Sequence, residues 1–436
     1  MNCTARSCVP SDAELNPNGL RVVKGKPALH LYQGYGIEIE YMVVDRETLA
    51  VRPLVDELLR EFDGGRYVND YVENDHVAWS NELVAHVIEL KCNGPAPDLD
   101  QVGANFHKSI RRINDALHVH GAMLLSTGAH PFMDPTRETR LWPHDYHEIY
   151  QKYDEVFDCR RHGWANLQSM HINLPFHGDE EFGRLHAAIR LLLPLLPAIG
   201  ASTPMLDGRL TGVVDTRLVQ YAENQKRVPI LAGDIIPEAV FTRQDYFLKI
   251  HEPIMAAMKP FDPEVILEHE FLNSRGAIAR FDRSAIEIRL LDAQECISAD
   301  LALAATVVAV LRRLTDARWA PIDAQKAFES QKLVPILKAI IAAGENALVE
   351  DADYLALFGI GKQSLRAGEL WGHLLEQVGS DLNHDQRQIL NHVLKHGTLS
   401  TRLQRALGPD SSLEHIQDVY RQIADCLQEN TPFAPA

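Results

Sequence analysis

The clearest alternation of polar and apolar residues in this chain runs from residue 36 to residue 44. Successive side chains of a β-strand point to opposite faces of its sheet, so Glu38 and Glu40 share one predicted face and Ile37 and Ile39 share the other. Two neighbouring carboxylates repel each other unless a cation lies between them. Taken alone, this strand fits a solvated polar face as well as it fits a cation site.

A second alternating stretch, residues 285–291, lies far downstream and has the same character. Here one acid, Glu287, and one base, Arg289, fall on the same predicted face. A sheet with several such acidic strands is a suitable binding surface for divalent metal ions and a nucleotide, because these ions prefer oxygen ligands. The pair of strands therefore favours a binding site over a merely solvated face.

A third apolar run, residues 81–91, is also predicted to be one strand and carries Glu82 and Glu89. Their odd separation places them on opposite faces of a regular strand, so both reach one site only if a bulge or bend intervenes. Glu89 lies deep in the apolar part of the run, and a buried acid needs a partner.

A fourth strand is predicted over residues 168–174, with His171 and Asn173 on one face. A single histidine on a strand is more often structural than a ligand. The neighbouring acidic strands favour the ligand interpretation here.

The remaining pattern is largely helical. Apolar residues recur at spacings of three and four over 55–62, 99–120, 144–157 and 182–199, whereas 67–79 is typical of a hairpin and 122–126 of a short buried strand. From residue 299 onward helices are predicted over 302–314, 324–331, 334–343, 365–378, 385–396, 400–407 and 413–428.

Residues 200–212 form a loop rich in Gly, Ser and Thr that follows a buried helix, and such loops commonly line binding sites. Arg217 follows this loop. Three more arginines, Arg275, Arg280 and Arg283, precede the last acidic strand. Without the strand pattern, the simpler explanation of these arginines is that they neutralise acids on a solvated surface.

The net charge of −17 argues against a nucleic-acid or anionic-membrane partner, either of which needs a broad basic surface. Hydrophobic residues make up 46% and charged residues 24%, which is ordinary for a soluble globular protein. No apolar run approaches the roughly 20 residues that span a bilayer, and the first residues lack the layout of a signal peptide. Six scattered cysteines without a CxxC pair indicate a reducing compartment. We therefore expect a cytoplasmic protein.

Several stretches, in order along the chain, resemble motifs of the glutamate–cysteine ligase family, in particular the carboxylate–amine ligase branch of the glutamine synthetase-like superfamily. The resemblance rests on residues 36–41, Glu82 with Glu89, residues 127–131, 170–173, 202–217 and 286–292. It extends from about residue 33 to about residue 430.

The resemblance implies an α+β fold: a curved, largely antiparallel sheet whose acidic concave face is the site, with helices behind it. Together with the pattern it predicts an irregular arm over residues 1–30, a catalytic domain over residues 31–310, and a helical C-terminal region over residues 311–436 that packs on the catalytic domain.

The resemblance also implies ATP-dependent amide formation through an acyl phosphate, with ATP and Mg²⁺ (or Mn²⁺) at the site. It implies a catalytic role for Arg289 at the transferring phosphate, beside Glu287. It implies substrate contacts from Arg217, Asn173, Arg280 and Thr211, with Arg217 binding a substrate carboxylate. The implied metal ligands are Glu38, Glu40, Glu82, Glu89, His171 and Glu287.

The expected partners are small molecules: an amino-acid carboxylate, an amine or amino acid, and ATP. The identity of the two joined substrates and the oligomeric state, a homo-oligomer included, stay open. Two other functions use the same residues, namely a metal-dependent hydrolase and a non-catalytic binding protein on the same scaffold. The single well-placed histidine and the arginine-rich last strand fit a triphosphate better than a hydrolytic water, and the retention of every candidate metal acid argues against a binding protein.

Overall fold

A computed structural model of the chain describes residues 13–15, 21–23, 29–65, 68, 71–267, 269–409 and 412–435. Most of the arm predicted over residues 1–30 lies outside this part of the chain. Its described part contains two three-residue strands, which pair antiparallel.

The strands are β1 (Ala13–Leu15), β2 (Arg21–Val23), β3 (Gly36–Asp45), β4 (Tyr71–Asn74), β5 (Val77–Asn81), β6 (Val87–Cys92), β7 (Ala122–Leu125), β8 (Ser169–Pro175), β9 (Met205–Leu206), β10 (Arg209–Leu210), β11 (Ala277–Arg280), β12 (Ala285–Asp292), β13 (Leu348–Val349) and β14 (Leu365–Arg366). Eight of them form one sheet in the order β11-β12-β8-β3-β6-β5-β4, with β7 paired to the second half of β3. Every pairing in this sheet is antiparallel, as predicted.

The α-helices are α1 (Val55–Phe62), α2 (Leu99–His118), α3 (Pro135–Glu138), α4 (His147–Phe157), α5 (His162–Ala165), α6 (Gly178–Leu192), α7 (Pro197–Gly200), α8 (Thr216–Glu223), α9 (Arg243–Tyr246), α10 (Glu252–Met258), α11 (His269–Leu272), α12 (Ile297–Thr315), α13 (Ile322–Ala327), α14 (Ser330–Ala343), α15 (Ala352–Ala356), α16 (Ala367–Val378), α17 (His384–His396), α18 (Leu399–Leu407) and α19 (Leu413–Glu429). A five-residue π-helical segment, Phe247–His251, joins α9 to α10.

Strand β3 lies at the centre of the sheet and separates its two faces. Ile37, Ile39 and Tyr41 are completely buried on the apolar face. Burial of one such side chain contributes about 1.5–3 kcal/mol to folding. Helices α1 and α2 contact β5, α2 and α19 contact β7, and α6 and α7 contact β12. The opposite face, which carries Glu38 and Glu40, is the one available to ligands.

Three predicted elements differ from the structure. The helix predicted over 182–199 is broken after Leu192, where Pro194 and Pro197 interrupt the helical hydrogen bonds. The helix predicted over 324–331 is two helices, α13 and α14, separated by extended residues. The single strand predicted over 81–91 is wrong, because β5 ends at Asn81 and β6 begins only at Val87.

The hairpin predicted over 67–79 is present as β4 and β5, and residues 66, 67, 69 and 70 lie outside the described part.

The C-terminal helices share one hydrophobic core with the sheet. Helix α12 is buried almost all round and packs against α2, α6, α16 and α17. His107 Nε2 lies 2.9 Å from the carbonyl oxygen of Gln428, which joins α2 to α19. The domain boundary predicted at residue 310 falls inside α12, and the division into domains stays a prediction. In the described part of the chain, no helix combines the length and the apolar character that crossing a membrane requires.

Candidate active site

The pairing of β3 with its two neighbours brings the predicted acids together. Glu38 lies opposite His171 of β8 on one side and opposite Lys91 of β6 on the other, and Glu40 lies opposite Glu89. Residues directly opposite each other on paired strands point to the same face of the sheet. These five side chains therefore share one face.

Strand β12 extends this face, because Glu287 lies opposite Asn173 of β8. Asn173 Nδ2 donates a hydrogen bond of 3.0 Å to Glu38 Oε1. The close approach depends on Gly36, since a Cβ atom there would lie 2.9 Å from the Cβ of Asn173. We call the surface formed by Glu38, Glu40, Glu89, His171 and Glu287 the acidic face.

The acidic face contains a group of ligand atoms with the spacing of a metal site. One ligand atom each from Glu38, Glu89 and His171 lies within 4.8 Å of the other two. His171 Nδ1 is 3.7 Å from Glu38 Oε2 and 3.6 Å from Glu287 Oε1, which is too long for a direct hydrogen bond. Carboxylate oxygens suit Mg²⁺ and Mn²⁺, so the donor set fits the metal ions implied by the sequence.

Hydrogen bonds from two serines, Ser169 and Ser80, fix the orientation of these side chains. Ser169 donates to Glu40 Oε2 from its backbone nitrogen at 2.7 Å and from its hydroxyl at 3.0 Å. The same hydroxyl lies 2.8 Å from His171 Nε2, so the imidazole is held with Nδ1 toward the acids. On the other side, Ser80 Oγ donates to Glu89 Oε2 at 2.9 Å.

Burial and crowding shift the pKa values of the acids in opposite directions. Burial raises the pKa of Glu38, but the neighbouring imidazole of His171 and the ammonium of Lys91 outweigh it and hold the pKa well below its usual range. Burial raises the pKa of Glu89 to about 7 against the opposing effect of Lys91. The pKa of Glu38 is therefore lower than that of Glu89, and Glu38 is the more readily ionised of the two acids.

Glu82 also lies near the acidic face, but not through the bulge or bend in a single strand that was predicted. It lies in the connection between β5 and β6, half-buried, and not on a bulged strand. Burial raises its pKa well above the usual range, and the charges of Glu89, Glu40 and Glu38 raise it further. The chain reversal after Asn81, which the sequence did not reveal, is what brings Glu82 near the acidic face.

The arginines predicted to meet phosphate lie at the β11–β12 edge of the acidic face. Arg289 Nε lies 2.9 Å from Glu287 Oε1, and Arg280 Nη1 lies 3.7 Å from Glu287 Oε2. Arg280 also pairs with Asp282 at 3.3 Å. The side chain of Arg289 is 29% exposed, so part of it is accessible to solvent.

Arg217 is placed differently, because its side chain is 2% exposed and pairs through Nε with Asp292 Oδ1. Asp292 Oδ2 also accepts hydrogen bonds from Ser202, through its backbone nitrogen at 2.8 Å and its hydroxyl at 3.2 Å, and from the hydroxyl of Thr203. A Cβ atom on Gly128 would lie 2.4 Å from Asp292 Cγ, so only glycine fits there. We call Asp292, Arg217, Ser202, Thr203 and Gly128 together the Asp292 network. As placed, the guanidinium of Arg217 serves a buried carboxylate of the chain itself.

Thr211 lies in the loop that precedes α8 and is exposed. Its hydroxyl is 2.6 Å from the hydroxyl of Thr216, and its backbone nitrogen donates to the carbonyl oxygen of Pro204 at 3.0 Å. Its described hydrogen bonds thus stay within the loop and the start of α8, and its predicted substrate contact stays a prediction.

The sequence prediction missed Lys91, Ser169, Ser80 and Asp292. Lys91 and Ser169 each stand two residues from a predicted ligand, Glu89 and His171, and the same alternation would have placed them on the acidic face. Ser80 could be found only through the register of β5 against β6, which a single sequence does not give.

Three comparisons with known proteins bear on this site. The model of glutamate–cysteine ligase family 2 matches residues 35–356. An uncharacterized protein of Archaeoglobus fulgidus is 31% identical over 401 residues, which is 91% of this chain and 99% of that protein. A protein of Rubrobacter xylanophilus named "Putative glutamate--cysteine ligase 2-3" is 29% identical over 188 residues, 42% of this chain and 46% of its own length. The match to this last protein thus spans less than half of it.

Solved structures show the same fold at low sequence identity. The glutamate–cysteine ligase of Francisella tularensis, determined in complex with AMP, superposes with a TM-score of 0.59 at 12% identity and covers 92% of this chain and 90% of that one. A bifunctional glutathione synthetase from Pasteurella multocida superposes with a TM-score of 0.53 at 15% identity, over 91% of this chain and 52% of that one.

Proposed function

This chain belongs to glutamate–cysteine ligase family 2 and is an ATP-dependent ligase, and from this premise we propose that it joins a carboxylate to an amine through an acyl phosphate formed on the acidic face. The observation that carries the proposal is the meeting of Glu38, Glu89 and His171 at metal-ligand spacing near the half-buried side chain of Arg289. Family membership favours a ligase over the hydrolase and the binding protein that the residues alone left open.

The acidic face has the donors that a divalent cation requires. Glu38, Glu89 and His171 would hold such an ion, with further ligands available from Glu40, Glu82 and Glu287. Bound Mg²⁺, or Mn²⁺ in its place, would supply positive charge to the phosphate oxygens of ATP. The role of the chain is to orient these ligands, as Ser169 does for Glu40 and His171.

The reaction has two steps. A carboxylate oxygen of the first substrate attacks the γ-phosphorus of ATP, and the bond from that phosphorus to ADP breaks. The amine of the second substrate then attacks the carbonyl carbon of the acyl phosphate, phosphate leaves, and the amine loses a proton to give the amide. Positioning and charge neutralisation supply most of the catalysis in phosphoryl transfer.

Arg289 and Arg280 are suited to neutralise the transferred group, because both lie at one edge of the acidic face. Glu287 lies between them and holds Arg289 in position at 2.9 Å. A guanidinium aimed at charge that develops during transfer lowers the barrier without tightening the binding of ATP.

The proposed substrates are glutamate, activated at its γ-carboxylate, and an amino acid or amine as acceptor. The names of the family and of its relatives support this pair, with cysteine as the first acceptor to test. Asn173 is positioned by its hydrogen bond to Glu38 at the metal ligands. A substrate contact from Asn173 is part of the proposal.

The proposal is tested by measuring phosphate release from ATP and Mg²⁺ with pairs of carboxylates and amines. We expect release that requires both substrates, and transfer of ¹⁸O from the labelled carboxylate to inorganic phosphate, which only an acyl phosphate explains. Glu38→Gln should abolish both signals. Phosphate release that is independent of the carboxylate, or inorganic phosphate that carries no label from the carboxylate, would contradict the proposed route.

A further inference from the structure

Lys91 places a permanent positive charge among the predicted metal ligands. It stands two residues after Glu89 on β6 and opposite Glu38 on β3, so its side chain lies on the acidic face. Its Nζ atom is 2.6 Å from Glu89 Oε2. Its side chain is 26% exposed, so most of it is enclosed by the sheet surface.

Two further contacts define the place of this ammonium. The ring of Tyr71 lies 5.6 Å from Nζ, close enough for a cation–π interaction. The residue opposite Lys91 on β5 is Ala78. The side chain of Ala78 is small and does not compete with the lysine for space on this face. The ammonium is therefore held between an aromatic ring and a carboxylate.

The contact occupies one of the two oxygens that Glu89 could offer to metal ions. Glu89 Oε2 accepts one hydrogen bond from Ser80 at 2.9 Å and one from Lys91 at 2.6 Å. A carboxylate oxygen offers about two acceptor positions, so both are filled by donors of the chain itself. A cation approaching this oxygen must displace the hydroxyl or the ammonium, and the ammonium also repels it.

We propose that the ammonium of Lys91 takes the place of one divalent cation at Glu89, so that the acidic face binds fewer metal ions than its carboxylates alone would hold. This inference rests on the proposed function, in which the acidic face binds divalent cations. Lys91 is then a positioning residue: it neutralises Glu89 at Oε2 and leaves the other oxygen of Glu89 to the ion that Glu38 and His171 also hold.

The test is a count of the Mn²⁺ ions bound per chain, made by titrating Mn²⁺ alone and following the free ion by electron paramagnetic resonance. Lys91→Met keeps the apolar stem beside Tyr71 and removes the charge. We expect this variant to bind one more Mn²⁺ per chain than the native protein, or to bind its weakest ion at least tenfold more tightly. Lys91→Arg, which keeps the charge, should bind as the native protein does.

Lys152→Met is the matched control, because Lys152 forms an ion pair with Glu155 away from the acidic face. Thermal melts establish that each variant is folded, and Lys91→Gln replaces Lys91→Met if the latter does not fold. Equal stoichiometry and affinity in the native protein and the uncharged variant would overturn the role of Lys91. Failure of every form, the native protein included, to bind Mn²⁺ would instead contradict the proposed function.

Discussion

Strand β12 contributes one carboxylate, Glu287, to the acidic face and another, Asp292, to the Asp292 network. The two clusters contain similar residue types but differ in how fully their carboxylates are paired. On the acidic face, Glu287 pairs closely with Arg289 at 2.9 Å, but it lies 3.6 Å from His171 Nδ1 and 3.7 Å from Arg280, so these last two groups approach it without direct hydrogen bonds. In the Asp292 network, donors from Arg217, Ser202 and Thr203 converge on one fully buried carboxylate.

The comparison shows what separates a binding site from a structural ion pair. A carboxylate whose acceptor positions are filled by the chain has nothing left to offer a ligand. The oxygens of Glu38 and Glu287 that lie 3.6–3.7 Å from His171 Nδ1 make no direct hydrogen bond to it and leave room for an added cation. The four predictions below test this difference, from the largest expected effect to the smallest.

The strongest test concerns Asp292, which is completely buried. Asp292→Asn replaces an acceptor by an amide that cannot accept from all three donors, and it leaves the guanidinium of Arg217 without its counter-charge. Removing one partner of a buried ion pair costs about 3–5 kcal/mol. We therefore expect the free energy of unfolding, measured in denaturant, to fall by that amount.

Glu223→Gln is the control for Asp292→Asn, because Glu223 pairs with Lys226 on the exposed surface, where such a pair is worth about 0–1 kcal/mol. If Asp292→Asn lowered the free energy of unfolding as little as this control does, the Asp292 network would not be a structural element.

On the acidic face the expected effect is on rate and not on stability. Arg289→Ala removes a guanidinium that meets charge developing on the transferred phosphate, which commonly costs about 100- to 1000-fold in kcat. The KM for ATP should change little, since the interaction is made mainly in the transition state. Stability should also change little, because Arg280 remains beside Glu287.

Arg283→Ala provides the comparison for Arg289→Ala. Arg283 belongs to the same group of arginines, is 59% exposed and pairs with Asp282. Its removal should leave kcat unchanged. Near-normal turnover by Arg289→Ala, or a variant that does not fold, would remove Arg289 from the mechanism.

The acidic face was more predictable from the sequence than the Asp292 network. Alternation along a strand fixes which residues share a face, and it placed Glu38 with Glu40 and His171 with Asn173 correctly. It could not place Glu82, because the chain leaves the strand at Asn81, and a local pattern of apolar residues does not distinguish a long strand from a strand followed by a turn.

The Asp292 network is assembled from segments far apart in the chain, and local periodicity carries no information about such contacts. The motifs around Gly128, Ser202 and Arg217 were each recognised by resemblance, but their convergence on Asp292 follows only from the tertiary structure. The substrate contact of Arg217 was predicted from the family resemblance and stays a prediction, whereas the structure pairs Arg217 with a buried acid.

The segment that contributes Gly128 to the Asp292 network also contains a histidine kept neutral by burial. His130 Nε2 lies 2.7 Å from the carbonyl oxygen of Leu49, and burial lowers the pKa of His130 to about 4 from its usual 6.5. Between these values the unfolded chain binds a proton that the folded protein does not. Stability therefore falls as the pH drops through this range, by about 2 kcal/mol at pH 5.

This contribution is isolated by comparing His130→Gln with the native protein at pH 7 and pH 5 in denaturant. Glutamine keeps a donor for the carbonyl oxygen of Leu49 but does not titrate, so the variant should lose about 2 kcal/mol less on acidification. His118→Gln, at an exposed position near the end of α2, should retain the native dependence. An unchanged dependence in His130→Gln would show that His130 is not held neutral.

The smallest expected effect decides to which cluster Arg217 belongs. Arg217→Lys keeps the positive charge but loses the planar fork that reaches Asp292 through Nε. If the guanidinium serves the Asp292 network, the variant should lose about 1.5 kcal/mol of stability, the lower end of the range for a hydrogen bond to a charged group. Its KM for the amino-acid substrate should stay within about twofold of the native value. Ser202→Ala removes another donor to the same carboxylate and should show the same combination.

The role predicted from the sequence, binding of the substrate carboxylate, requires the opposite result for Arg217→Lys alone: native stability with a strongly raised KM. We expect the loss of stability, because a side chain that is 2% exposed and already paired with Asp292 would have to break that pair before it could bind a substrate.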